Sequence, residues 1–312
     1  AYGVALRALG ETNKSVVVLD ADVSNSTFAE TFAKDASLAG RFVECKIAEQ
    51  NMVSAAAGMA ASGKVPFCST FAKFFARAYD QIELAMNGGA NIKLVGSHAG
   101  ITLAADGPSQ MSLPDMAWFR SLSGVTDHRG NPGCYILQPA DAYAAYALTG
   151  VMAEYEGLCY MRTLRADTEF IYGDDQVFNL GGFETLSEGR DVVICACGYM
   201  VQEANKAVEL LDQAGVSATL LDMYSIPFDT DKLMDIIAAN GGYAVSVEDN
   251  YGGGLGSAIA DALVGAGDAF QLEQMHVERI PKSARTADEM LAMCGLTAKD
   301  ICQRTMEVLQ VV

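Results

Sequence analysis

The chain alternates. Short β-branched runs give way to long amphipathic stretches and then return: Ser15 to Leu19, Glu49 to Ser62, Val65 to Ser69, Phe71 to Asn87, and Ile92 to Val95. A strand and helix rhythm of this kind calls for a parallel sheet with helices on both faces, because each crossover carries the chain back over the sheet. Tyr135 to Leu137, a helix from Ala140 to Glu154 and a strand from Cys159 to Arg162 complete a first unit. A polar, Gly-bearing stretch over 173–189 reads as a linker with a small strand or two. The rhythm then resumes with strands Asp191 to Cys197, Ala218 to Leu221 and Tyr243 to Val247, and helices Val201 to Gln213 and Lys232 to Asn240. The expected fold class is α/β with two doubly wound domains, a larger one over 1–178 and a smaller one over 179–312.

Charge narrows the partners. With 21 basic against 39 acidic side chains the net charge is −18, and nucleic acid or an anionic membrane surface needs a basic face, so neither is expected. An anionic ligand would have to be held by local groups, which makes each His and Arg near a candidate site informative. No apolar run reaches the roughly 18 residues of a membrane span, and no basic segment followed by an apolar one opens the sequence. The eight cysteines are scattered, mostly inside apolar runs (Cys68, Cys159, Cys195, Cys197, Cys294, Cys302), and read as buried thiols of a cytoplasmic protein. Cys195 and Cys197 share one face of a strand, but no second pair or nearby His completes a zinc set.

Two features invite chemistry. The run Gly252-Gly253-Gly254-Leu255-Gly256-Ser257 follows a strand and opens a helix, the setting of a dinucleotide site. Its spacing fails, since the third glycine of G-x-G-x-x-G falls at Ser257, so a turn before a closely packed helix is expected. Glu49 opens a helix whose first turns are almost all small residues, so a flat ligand or a neighbouring helix can come near the backbone. Alone, such an acid usually compensates the helix dipole. Phe71 and Phe74, three apart on an expected helix, can present a ring surface to a planar heterocycle, although aromatics at this spacing more often fill a core.

The segments I-A-E-Q-N-M-V-S (47–54), P-F-C-S-T-F-A-x-F-F-x-R-A-x-D-Q-I (66–82), G-S-H-x-G (96–100) and D-G-P-S-Q-M (106–111) stand together with V-E-D-N-Y (247–251) and R-I-P-K-S (279–283). In this order and spacing the chain resembles the C-terminal half of the transketolase family over essentially all of its length. The resemblance implies thiamine diphosphate as cofactor. Glu49 would bind the N1′ nitrogen of the aminopyrimidine, so that the cofactor's own amine can act as base, while Phe74 stacks on that ring with Phe71 beside it. It places Asp106 and Gln110 on the sugar, where Gln110 can hydrogen-bond an oxygen but cannot shuttle protons. Ser26, His98 and Arg165 would hold the substrate phosphate, with Arg162 as the competing arginine. A further phosphate-binding Arg of the family lies just upstream of the segment in which this chain begins. The loop over 126–133 looks longer than its counterpart; His128 and Arg129 there could touch substrate or a partner, or simply be solvated.

The family's metal and diphosphate segment, a G-D-G with a distal Asn, has no match in the sequence; Gly173-Asp174-Asp175 and Ala105-Asp106-Gly107 are near misses. The expectation is therefore a split enzyme. An N-terminal transketolase subunit would supply the diphosphate site and every Mg²⁺ ligand, in a dimer of heterodimers, and the pair would transfer a two-carbon ketol unit between sugar phosphates. Alternatives are a deoxyxylulose-phosphate-synthase-like enzyme, a β subunit of a 2-oxo-acid dehydrogenase, and a non-catalytic assembly protein.

Overall fold

The structure, a computed structural model, describes residues 1–266 and 270–310. Strands β1 (Val16–Asp20), β2 (Phe42–Glu44), β3 (Val65–Phe71), β4 (Lys93–Ser97), β5 (Tyr135–Leu137) and β6 (Cys159–Arg162) come from the first half of the chain. From the second half come β7 (Glu184–Ser187), β8 (Val192–Ala196), β9 (Ala218–Asp222), β10 (Ser225–Ile226), β11 (Tyr243–Val247) and β12 (Gln271–Met275). They form a seven-stranded sheet in the order β10-β5-β6-β4-β3-β1-β2 and a five-stranded sheet in the order β12-β11-β8-β9-β7. Pairing is parallel except for β10 with β5 and β7 with β9, both at sheet edges. Every residue of β1, β4, β6, β8 and β9 is buried, as strands covered on both faces must be, and this is why they read as near-continuous apolar runs.

The chain leaves β1 toward β2 on one side, then crosses back to place β3 on the other. That reversal opens a crevice beyond the carboxyl ends of β1 and β3, where open α/β sheets bind ligands. The second sheet reverses between β8, which leads to β9, and β11, which leads to β12. Its crevice faces the first unit: Ile101 donates its backbone N–H to the Asp249 carbonyl, and Tyr251 to that of Leu113.

The expected helix over Phe71 to Asn87 forms in two pieces. Phe71 still belongs to β3, in register with Ser97 of β4, and its extended backbone cannot begin an α-helix. A 3-10 segment, Ala72–Ala78, follows, and only Tyr79–Asn87 is α-helical. The linker over 173–189 holds one strand, β7.

Candidate active site

All the expected site residues are carried by segments that leave the carboxyl ends of strands in the seven-stranded sheet: Ser26 after β1, Glu49 after β2, Phe71 and Phe74 at β3, His98, Asp106 and Gln110 after β4, and Arg165 after β6. The turns there are tight. Asp22, Lys46 and His98, just past β1, β2 and β4, all take the left-handed conformation with φ of 65°, 57° and 57°, which non-glycine residues adopt only where their surroundings hold them there.

Glu49 opens the helix Glu49–Ala61 and is 1% exposed. Its Oε1 accepts a hydrogen bond from Arg77 Nη1 at 2.5 Å. The Arg77 side chain is itself half exposed, and its guanidinium carbon lies 4.8 Å from the centre of the Phe74 ring. Phe74 stacks on Phe71 (5.1 Å, 15°), and Phe71 stacks on His98 (4.0 Å, 17°). A continuous pile of Arg77, Phe74, Phe71 and His98 thus runs from the buried acid to an imidazole. The spacing that brings the two phenylalanines together is that of the strand end and the 3-10 turn, in which residues three apart eclipse.

His98 Nδ1 is 3.0 Å from Ser97 Oγ. Burial, and then the nearby Arg165 charge, hold its pKa below the usual histidine value, so the ring is neutral near pH 7. Arg165 Nη1 donates to Asp106 Oδ1 at 2.9 Å, with both side chains partly exposed. The Arg162 guanidinium, by contrast, is buried among Asp115 (2.8 Å), Gln138 (2.5 Å), the Ser112 carbonyl (3.1 Å), Asn250 (3.3 Å) and Asp249 (3.4 Å). It ties the two halves together, whereas Arg165, paired with Asp106, stays half exposed at the rim. Gln110 Oε1 is buried with no hydrogen-bond partner, an arrangement that costs about 1–3 kcal/mol unless something donates to it.

Ser26 stands somewhat apart. It shares the wall of a cavity of about 400 Å³ with Ser97, Thr163 and Thr168, and no hydrogen bond joins it to His98 or Arg165 among the described residues. Its loop is ordered by Asp20, whose carboxylate accepts from Val23 N and Thr27 Oγ1, both at 2.7 Å. The loop over 126–133 closes on its own chain: Asp127 accepts from the backbone of Arg129 and Asn131, and Arg129 reaches Glu156.

The glycine run is no phosphate cradle. At the start of the helix Leu255–Ala266 the backbone N–H groups of Leu255 and Gly256 donate to the chain's own Glu248, at 2.7 and 3.1 Å. A Cβ at Gly254 would collide with that carboxylate, so the glycine is required for a close approach within the chain. Among the described residues no group of three His, Cys, Asp or Glu is placed to hold a metal. Arg77 lies inside the motif over 66–82 without an expected role there; its position three residues beyond Phe74 is the signal in the sequence for this contact.

A buried acid beside an aromatic pile, with anion donors beyond it on the carboxyl edge of a parallel sheet, marks an α/β domain suited to a planar heterocycle and an anionic substrate. The family follows from comparison. Residues 1–169 match the transketolase pyrimidine-binding domain and residues 181–301 the transketolase C-terminal domain, so the chain belongs to the transketolase family and corresponds to its C-terminal half. It is 39% identical to human transketolase over 308 residues, which is 97% of this chain and 47% of that protein. The chain thus spans about half the length of the curated relatives it matches. A solved chain described as a split gene transketolase, inactive beta4 tetramer, superposes with a TM-score of 0.84 at 33% identity, covering 99% of this chain and 97% of the other. Transketolase from Campylobacter jejuni shares the fold at a TM-score of 0.77 and 16% identity, covering 98% of this chain and 46% of its own.

Proposed function

We propose that this chain is the C-terminal subunit of a split transketolase and that, joined to a subunit carrying the N-terminal half, it transfers a two-carbon ketol unit from a ketose phosphate to an aldose phosphate. The observation that carries the reading is the buried Glu49 carboxylate beside the Phe71 and Phe74 rings. That donor set fits the ring half of thiamine diphosphate: an acid for a ring nitrogen and an aromatic surface for the ring plane. It does not fit the diphosphate or Mg²⁺. The helix start that could have taken an anion is filled by Glu248, which supports a partner that brings the metal site. The split neighbour has the same extent as this chain and is described as an inactive tetramer of β chains, which supports the same reading, with a dimer of heterodimers as the active form. The free cysteines, nearly all buried, suit a reducing cytoplasm.

When bound, thiamine diphosphate supplies a carbon nucleophile and an electron sink for the ketol fragment. Glu49, itself buried, would meet the ring nitrogen, and the Phe71 and Phe74 rings would form the aromatic wall beside it. Asp106 and Gln110 Oε1 engage sugar hydroxyls, and neutral His98, Arg165 and Ser26 receive the phosphate. Mixing this chain with its N-terminal partner, thiamine diphosphate and Mg²⁺ should give turnover of xylulose 5-phosphate with ribose 5-phosphate, and either subunit alone should give none. Full activity of Glu49→Ala in that mixture would overturn the reading.

A further inference from the structure

Arg77 is the one described side chain that hydrogen-bonds Glu49, and it does so from outside. Its guanidinium contacts Oε1 at 2.5 Å and lies over the Phe74 ring at 4.8 Å, while half of the side chain faces solvent. Glu49 Oε2 receives no hydrogen bond from the described residues. A carboxylate held this way is anchored at one oxygen and presents the other. The anchor is itself oriented, because a planar cation stacked on an aromatic face loses most of its freedom to turn.

We propose that Arg77 is a positioning residue for Glu49: it fixes Oε1, aims Oε2 at the cofactor's ring nitrogen, and by its charge favours the arrangement in which the shared proton rests on that nitrogen and Glu49 is the carboxylate. The inference rests on the proposed function and deepens it. The proton moves only between Glu49 Oε2 and the ring nitrogen, so one O–H bond is exchanged for one N–H bond. The guanidinium stays charged throughout, since arginine does not titrate in this range.

The test uses the complex of this chain with its partner subunit, loaded with thiamine diphosphate and Mg²⁺. Two quantities separate positioning from simple packing. One is the affinity for thiamine diphosphate by titration calorimetry; the other is the rate at which the bound cofactor exchanges its reactive ring-carbon proton with D₂O, read by NMR after acid quench. Arg77→Met keeps the stem over Phe74 and removes the charge. It should slow the exchange roughly ten- to a hundredfold, by analogy with the loss of the hydrogen-bond partner that orients a metal-ligating side chain, while affinity stays near that of the wild type. Arg77→Lys should restore most of the rate, and Arg77→Gln serves if the Met variant does not assemble. Exchange at the wild-type rate in Arg77→Met would overturn the proposal. So would a Lys variant as slow as the Met variant, or an assembled Met variant that no longer binds the cofactor. If the wild-type complex itself neither binds thiamine diphosphate nor exchanges the proton, it is the transketolase reading that fails.

Discussion

Glu49 and Glu248 both bring a buried carboxylate to a helix start, and they differ in who satisfies them. Glu49 and Glu248 are each 1% exposed. Both oxygens of Glu248 are used internally, by Leu255 N, Gly256 N and Asn250 Nδ2. Burial pushes its pKa up, and those hydrogen bonds pull it back. Among the described residues Glu49 has only the half-exposed Arg77, on one oxygen. A buried acid saturated by its own backbone serves the fold, whereas one whose sole partner reaches in from solvent is available to a ligand.

The sharpest way to break this contrast is Glu49→Gln, which keeps the shape and removes the acid. Turnover by the assembled enzyme should fall by about 10²–10⁴-fold, the range for loss of a group that moves a proton in the transition state. The urea midpoint should hold or rise, because the variant no longer buries a charge and Arg77 is left in water. Glu248→Ala should do the reverse. It leaves the Leu255 and Gly256 N–H groups without an acceptor and should destabilise the chain by about 3 kcal/mol, with turnover of the folded complex unchanged. Denaturation curves beside steady-state rates would show the crossing, and parallel behaviour of the two variants would sink the comparison.

The same contrast marks what could be read in the sequence. The central strands were legible because a parallel strand buried on both faces is an unbroken apolar run, as in Val16 to Leu19 and Val192 to Cys195. Ser225–Ile226 was not, since two residues become a strand only by pairing with Tyr135–Leu137, some ninety positions away. The helix expected from Phe71 started late because the β3 ladder claims that residue. Transketolase motifs pointed to Glu49, the phenylalanines and the cluster of His98, Asp106 and Arg165. Nothing in the sequence distinguishes Arg162 from Arg165, three residues apart, until the fold buries one among carboxylates and leaves the other at the rim. Glu248 was likewise invisible as the occupant of the glycine-rich turn, because the acid meets the helix start only once the loop over 249–253 folds back on it.

Asp222 lies between the two glutamates and sharpens the scale. Its Oδ2 accepts from Tyr172 Oη at 2.6 Å, while Oδ1 is buried with no partner. Burial raises its pKa from 3.8 to about 7, with Asp141 and Glu184 adding to the shift and the Tyr172 hydrogen bond opposing it. The folded chain therefore holds this proton more tightly than the unfolded one. The stabilisation it gives is complete below about pH 4 and is lost as pH rises through about 7. Asp222→Asn should remove that slope, so that the variant gains about 4 kcal/mol on the wild type between pH 4 and pH 8. Urea midpoints across this range would measure it, and identical slopes would show that the unpartnered oxygen is served by something else.

At the exposed end of the series the expected effects are small and confined to the substrate. Arg165 and Asp106 form an ion pair at 2.9 Å with side chains 50% and 37% exposed, and such pairs contribute about 0–1 kcal/mol to stability. Arg165→Ala should therefore leave the unfolding midpoint where it is. If the guanidinium receives the phosphate, the KM for a phosphorylated ketose should rise roughly tenfold, the loss of one charge-assisted contact, while a ketose lacking the phosphate should be turned over as by the wild type. A KM that rises equally for both substrates would mean that Arg165 acts through Asp106, by holding the carboxylate that meets the sugar hydroxyls, and the division of this rim into a hydroxyl side and a phosphate side would have to be given up.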